Sequence, residues 1–216
     1  MAVLGIDLGG TKLLAGVFSE SGELLYKEKA ALENRKGEEV GAFITQKINI
    51  MHAEWQQKGK DILAAGVAVP GISNSANGTV WAPNIPGWEA YPLLNELQQN
   101  SKGISITIDN DRSCSLLGEI WKGNARQCNN VIFLAAGTGI GAGIMANGHI
   151  INGAQGISGA IGWMALTTPF RDEYISCGCF EHYASGEGIS KLARELLQTE
   201  KITTSLLNHI PIEDIK

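Results

Sequence analysis

The chain has 216 residues, 44% hydrophobic and 18% charged, with a formal net charge of −5, enough for a sizeable core in one large domain or two small ones. It has no run of Lys or Arg to grip a phosphate backbone, which argues against nucleic-acid binding, and no stretch of ~18 apolar residues to cross a membrane. Cysteines 114, 128, 177 and 179 show no disulfide-scaffold spacing, and the N-terminus opens into a strand without a basic-then-apolar leader, so a reducing cytoplasm is expected.

Glycine is abundant, 27 residues against a typical ~7%, and it clusters at 9–10, 137–143 and 153–162 instead of spreading as in a linker. The first cluster lies in Gly5-Ile6-Asp7-Leu8-Gly9-Gly10-Thr11-Lys12, between an apolar strand begun by Ala2-Val3-Leu4 and another begun by Leu13-Leu14-Ala15. That placement puts the glycines on a hairpin turn. Such a turn can be structural only. It can also bring backbone N–H groups close to an anion, with Lys12 adding charge, Thr11 a hydroxyl, and Asp7 a carboxylate able to hold a divalent cation through water. No Walker A loop is present.

Residues 23–32 read as a third antiparallel strand, and 37–57 as an amphipathic helix with Val40, Phe43, Ile44, Ile48, Met51 and Trp55 at helical spacing. Residues 62–70 are a continuous apolar run ending in Pro70-Gly71, the pattern of a strand buried on both faces in a parallel sheet. Residues 71–88 lack periodicity and read as a loop. Asn84 there is either a turn residue or a two-way hydrogen-bonding group for a hydroxyl. A helix at 92–99 leads to a β-branched strand at 104–108, then Asp109-Asn110-Asp111 and a helix at 112–122. Either Asp can be a helix cap. The other reading makes Asp111 a general base at a strand end, with Asn110 orienting the same substrate.

A second half starts with a buried strand at 131–136 that runs into Gly137-Thr138-Gly139-Ile140-Gly141-Ala142-Gly143. This satisfies the dinucleotide fingerprint, but no helix follows. Asn147-Gly148 between apolar residues signals a hairpin instead. The segment AAGTGIGAGI therefore echoes DLGGTKLLAG, an internal repeat of strand, glycine turn and strand. The expected division is 1–122 and 123–216. A helix is expected at 180–198, with helical residues also in the last 26.

Asp7-Leu8-Gly9-Gly10-Thr11-Lys12 resembles the first phosphate loop of the ROK family (repressors, open reading frames and kinases), a branch of the actin-like ATPase superfold. Asn110-Asp111 is similar to its catalytic pair, and Pro70-Gly71 with Pro83-Asn84 to its sugar-binding loop. The resemblance implies a duplicated α/β, ribonuclease H-like fold whose mixed sheets are flanked by helices, with two phosphate hairpins clamping ATP across a cleft. It implies an ATP- and Mg²⁺-dependent sugar kinase, with Asp111 as base. Gly9, Gly10, Thr11, Lys12, Gly137, Thr138 and Gly139 would then cradle phosphates and Asp7 would hold magnesium through water. Gly71, Asn84, Asn110 and Glu181 would contact the sugar. The family commonly forms homodimers.

The pattern breaks downstream. Where the family has Glu-x-Gly-His, this chain has Ala160-Ile161-Gly162-Trp163, and only Gly178-Cys179-Phe180-Glu181 survives of the zinc cysteines. Two cysteines do not make a four-ligand structural zinc site, so no zinc is expected. Trp163 is expected to fill the space of the missing His ahead of the alternative, stacking on an apolar sugar face, and His149, His182 and His209 to lie on the surface or in loops. Glu181 can equally serve the start of a helix. The second domain looks incomplete against the family. The alternative is therefore a catalytically weak or inactive sugar-binding or regulatory protein. No DNA contact is expected of it, since the chain begins at the first strand.

Overall fold

Alternation builds the first strand, β1 (Ala2–Leu8), whose Ala2, Leu4, Ile6 and Leu8 are buried while Val3 and Asp7 face outward. β2 (Lys12–Ser19) buries Leu13, Ala15 and Val17 on the same side, and β3 (Leu24–Ala31) completes an antiparallel meander. In this computed structural model, residues 1–74, 76–101, 103–199 and 205–215 are described. Residue 75 of the expected loop, and 200–204 and 216 of the expected helical tail, lie outside them. The chain divides into two compact units, Met1–Cys114 and Ser115–Lys216.

In the first unit, α1 (Glu38–Gln57) buries Val40, Ile44, Ile48, Met51 and Trp55 of the stripe read from the sequence, while Phe43 is only partly buried against the core. Glu38 and Glu39 in its first turn suit the positive end of the helix dipole. β4 (Ile62–Val69) then pairs parallel with β1. A short hairpin follows, β5 (Ile72–Asn74) with β6 (Thr79–Trp81), inside the stretch expected to be a plain loop. α2 (Leu93–Asn100) and β7 (Ser105–Asn110) complete a five-stranded sheet in the order β3-β2-β1-β4-β7, antiparallel on the β3 side and parallel at β1, β4 and β7.

The loop after β6 is held by aromatic packing. Trp88 is 1% exposed, stacks on Tyr91 with centroids 4.7 Å apart, and donates its indole N–H to the Gly37 carbonyl at 2.9 Å. Because the Gly37 N–H donates in return to the Pro86 carbonyl at 2.9 Å, the loop carrying Asn84 is fixed to the start of α1. Sequence periodicity could not show this, since one ring provides the anchor.

α3 (Asp111–Trp121) starts in the first unit and continues into the second. There β8 (Val131–Ala136), β9 (Ile140–Ala146) and β10 (His149–Ile150) form an antiparallel sheet in the order β10-β9-β8. Asn147 (φ 51°) and Gly148 (φ 78°) make the tight turn their sequence signals. Short 3₁₀ turns at Ile161–Trp163 and Asp172–Ile175 precede α4 (Cys179–Ala184) and α5 (Gly186–Thr199). The single helix expected at 180–198 is thus two. Ser185 between them is extended (φ −72°, ψ 164°) and caps α5 by accepting the Gly188 N–H at 3.0 Å. Among the described residues no helix is long and apolar enough to cross a membrane.

Candidate active site

Parallel pairing brings the site of the first unit to one edge of the sheet. Asp7, Ala68 and Asp109 are register partners across β1, β4 and β7, so these strands deliver Asp7, Val69-Pro70-Gly71 and Asn110-Asp111 to the same end. At the tip of β1, the Gly9 N–H donates to the Lys12 carbonyl at 2.8 Å, leaving Gly10 and Thr11 as a two-residue turn. Neither Gly9 nor Gly10 has a positive φ. Gly10 lies close to the loop instead: a Cβ there would stand 3.0 Å from the Asn84 side-chain nitrogen, so that amide would have to shift by a few tenths of an ångström. Asn84 therefore rests against the hairpin tip.

Gly71 is left-handed (φ 95°), and a Cβ on it would stand 2.2 Å from the Trp81 carbonyl oxygen, so only glycine fits. Its own carbonyl accepts from Arg112 Nη2 at 3.2 Å, and Arg112 Nε lies 3.9 Å from Asp111 Oδ1. Arg112 ties the β4 loop to the Asp111 end of β7. Sequence reading passed over it, although a cation directly after Asp-Asn-Asp was a usable signal.

Asn110, not an Asp, caps α3. Its Oδ1 accepts the Ser113 N–H at 2.9 Å, while Nδ2 donates to Asp109 Oδ1 and to Ser113 Oγ, each at 3.0 Å. Asn110 is buried, and its amide is engaged by these partners. Asp111 follows as the first helical residue, with half of its side chain open (50%).

The carboxylates feel one another. Asp7 reaches the surface, yet enough of its carboxyl group is enclosed that desolvation raises its pKa; the Asp111 charge adds to this and Lys12 opposes it. The Cys114 thiol is pushed up to about 12, first by burial and then by Asp109, Asp111 and Asp7, so it is no nucleophile at neutral pH. Asp7, Gly9 and Lys12 also line a cavity of about 480 Å³ with Leu14, Lys27, Glu28 and Lys29.

In the second unit the hairpin Gly137-Thr138-Gly139 joins β8 to β9 and closes with the Gly137 N–H donating to the Gly139 carbonyl at 2.9 Å. Two groups hold it from below. Glu181 Oε2 accepts the Ile140 N–H at 2.7 Å, and the Gly186 N–H donates to the Gly137 carbonyl at 2.7 Å. Side chains at Gly139 or Gly162 would collide with Glu181, since a Cβ would lie 2.8 or 2.9 Å from Oε2. The helix break at Ser185 presents the Gly186 N–H that makes this tie. Thr138 and Glu181 line a cavity of about 390 Å³ together with Glu173, Cys177, His182 and Lys191.

Two expectations change here. Trp163 is 61% exposed and fills no interior space; Gly162 beside it is what meets Glu181. His182 is partly buried, edge-on to Tyr174 and Tyr183 (5.3 and 4.9 Å), with Nε2 3.5 Å from Glu173. The Cys179 thiol is held below its ordinary pKa, mainly by the Leu166 N–H, which donates to Sγ at 3.4 Å. Among the described residues no group of three or more His, Cys, Asp or Glu is placed to hold a metal ion.

A glycine hairpin after the first strand, parallel strands ending in carboxylates, and a second strand–glycine–strand hairpin belong to the mixed α/β fold of the actin-like ATPases. The ROK family glucokinase of Streptomyces griseus, solved in complex with glucose and AMPPNP, superposes with a TM-score of 0.74 at 27% identity, over 100% of this chain and 68% of that one. The ROK family model matches residues 3–214, and the chain belongs to that family. It is 32% identical to the glucokinase of Halalkalibacterium halodurans over 95% of its own length, and 31% identical to the xylose repressor of Caldicellulosiruptor bescii over 91%. It spans 63% of the former and 50% of the latter.

Proposed function

We propose that this chain carries the phosphoryl-transfer chemistry of a ROK-type sugar kinase, moving the terminal phosphoryl group of ATP to a hydroxyl of a hexose or N-acylhexosamine. The observation that carries this reading is Asp111, a half-open carboxylate fixed at the end of β7 beside Asp7 and within reach of Arg112. As the sugar oxygen bonds to phosphorus and ADP departs, Asp111 takes the hydroxyl proton. Asn110 supports this by capping the helix that Asp111 begins, and the exposed Asn84 amide offers both a donor and an acceptor to the sugar. Gly71 supplies the turn and the carbonyl that Arg112 holds.

The Gly9–Lys12 and Gly137–Gly139 turns are assigned to the phosphates, with Lys12 adding positive charge and Thr138 a hydroxyl. Glu181 binds the second turn through Oε2, which leaves Oε1 for a sugar hydroxyl. The carboxyl of Asp7, whose ionised form is disfavoured by burial and by Asp111, fits a water-mediated hold on magnesium. Bound Mg²⁺ would neutralise charge on the transferring phosphates. The reading places the enzyme in the cytoplasm, in keeping with four free cysteines, and as a homodimer like others of its family.

A second reading, a sugar-binding regulator, is favoured by the match to the xylose repressor and by Ala160 and Trp163 at the Glu-x-Gly-His positions. A coupled ADP-release assay over hexoses and N-acylhexosamines separates the two. Sugar-dependent ADP release that drops at least ~10²-fold in Asp111→Asn supports the kinase. Sugar-induced thermal stabilisation without ATP consumption supports the regulator.

A further inference from the structure

Arg112 breaks three local rules at once. It is the second residue of α3, where a cation opposes the positive end of the helix dipole. Its side chain is 18% exposed, so most of a charged group is withdrawn from water. Its Nε is buried without a hydrogen-bond partner among the described residues, a condition it shares only with the hydroxyls of Thr45 and Ser101, neither of them charged. Departures of this kind gather at functional sites.

One end of the guanidinium is held. Nη2 donates to the Gly71 carbonyl at 3.2 Å, in the left-handed turn after β4. At the other end Nε stands 3.9 Å from Asp111 Oδ1, about 1 Å beyond a hydrogen bond, and this is the side chain's one ion pair among the described residues. Oδ1 already accepts the Arg112 backbone N–H at 2.8 Å. Because the Asp111 side chain is half open and Arg112 is enclosed, the carboxylate is the partner with room to move. A small swing places both donors of Arg112, backbone N–H and Nε–H, on Oδ1 and leaves Oδ2 free. It also sets a fixed cation against an edge where Asp109, Asp111 and Asp7 all act on the Cys114 thiol. Holding Gly71 alone needs one donor, which lysine could supply; reaching the loop and the carboxylate together needs the planar fork of arginine.

We propose that Arg112 is a positioning residue for the base: when sugar binds, its Nε–H closes on Asp111 Oδ1 and turns Oδ2 to the hydroxyl, while Nη2 keeps the Gly71 turn in step with that carboxylate. As the sugar oxygen bonds to phosphorus and ADP leaves, the hydroxyl proton passes to Oδ2. The inference rests on Asp111 as the base of a sugar kinase.

Two measurements on the full chain test it, the first without turnover. The chain has five arginines, so the Arg112 Nε–H resonance is identified in a proton–nitrogen correlation spectrum by its loss in Arg112→Lys. Saturating glucose or N-acetylglucosamine, without ATP, should move it downfield and slow its exchange with water about tenfold, and should do neither in Asp111→Ala. In steady-state phosphorylation, Arg112→Met should lower kcat at least about tenfold and raise the sugar KM no more than about threefold. Arg112→Lys keeps the charge and one contact but not both, and should show the same split even where the Met variant folds poorly. A resonance that responds to neither sugar, or a rise in KM with kcat unchanged in the Lys variant, overturns the proposal. The sugar-dependent shift in a chain that phosphorylates no sugar would uphold the closure and count against the kinase reading alone.

Discussion

Replacing Glu181 by alanine removes the group that holds the second glycine hairpin. Its Oε2 accepts the Ile140 N–H at 2.7 Å, Ile140 is 8% exposed, and the carboxylate packs against Gly139 and Gly162. A hydrogen bond to a charged acceptor contributes roughly 1.5–3 kcal/mol, and the orphaned N–H is too enclosed for water to replace the partner fully. A loss of about 2–3 kcal/mol is expected. In a chain of this size that lowers the melting temperature of the transition containing the second unit by roughly 4–12 °C. Hydrogen exchange at the Ile140 amide should quicken by about 30-fold, the factor that 2 kcal/mol represents. Glu181→Gln keeps an acceptor and should lose about half as much. An alanine variant with unchanged melting and unchanged Ile140 exchange would show that the carboxylate does not brace the hairpin.

Asn110→Ala should lower urea stability by about 1 kcal/mol, because Oδ1 no longer caps α3 at the Ser113 N–H; no change would mean that Asp109 or water takes over the cap. Asp7→Asn tests the electrostatics. The folded-state pKa of Asp7 lies above its ordinary 3.8, so the native chain binds that proton more tightly than the unfolded one. Ionised Asp7 therefore destabilises the fold at neutral pH, and this effect fades as pH falls through the raised value toward 3.8. The Asn variant should resist urea better than wild type at neutral pH and equally at acid pH. A variant less stable at neutral pH would reverse that sign.

Periodicity and turn chemistry carried much of the fold. The α1 stripe, the Asn147-Gly148 hairpin and the strand–glycine–strand echo are local patterns, and local patterns survive in a sequence. What stayed hidden depends on single long-range contacts. Trp88 anchors the Asn84 loop through a stack and one indole hydrogen bond to a residue 51 positions away. Glu181 meets Ile140 across 41 positions. The break at Ser185 lies inside a run whose composition reads as uninterrupted helix; it is set by the tie from Gly186 to Gly137, and a Cβ at Gly188 would lie 2.3 Å from the His182 carbonyl. Trp163 was placed by analogy with a missing His, whereas the backbone turns its ring to solvent. The Asn110-Asp111 pair was legible as chemistry, but which of the two caps the helix needed the hydrogen-bond geometry.

The most direct measurement is the yield of sugar phosphate in a single-turnover reaction of the chain with Mg·ATP and glucose or N-acetylglucosamine, compared with Asp111→Asn. The side chain at 111 is half open and its Oδ1 accepts the neighbouring Arg112 N–H at 2.8 Å, a bond that asparagine can keep, so the variant should fold and still bind both substrates. Wild type should form sugar phosphate at least ~10²-fold faster than the variant. Equal rates in the two, or a wild-type chain that binds sugar and ATP yet forms no sugar phosphate, would contradict the assignment of Asp111 as the base of a sugar kinase.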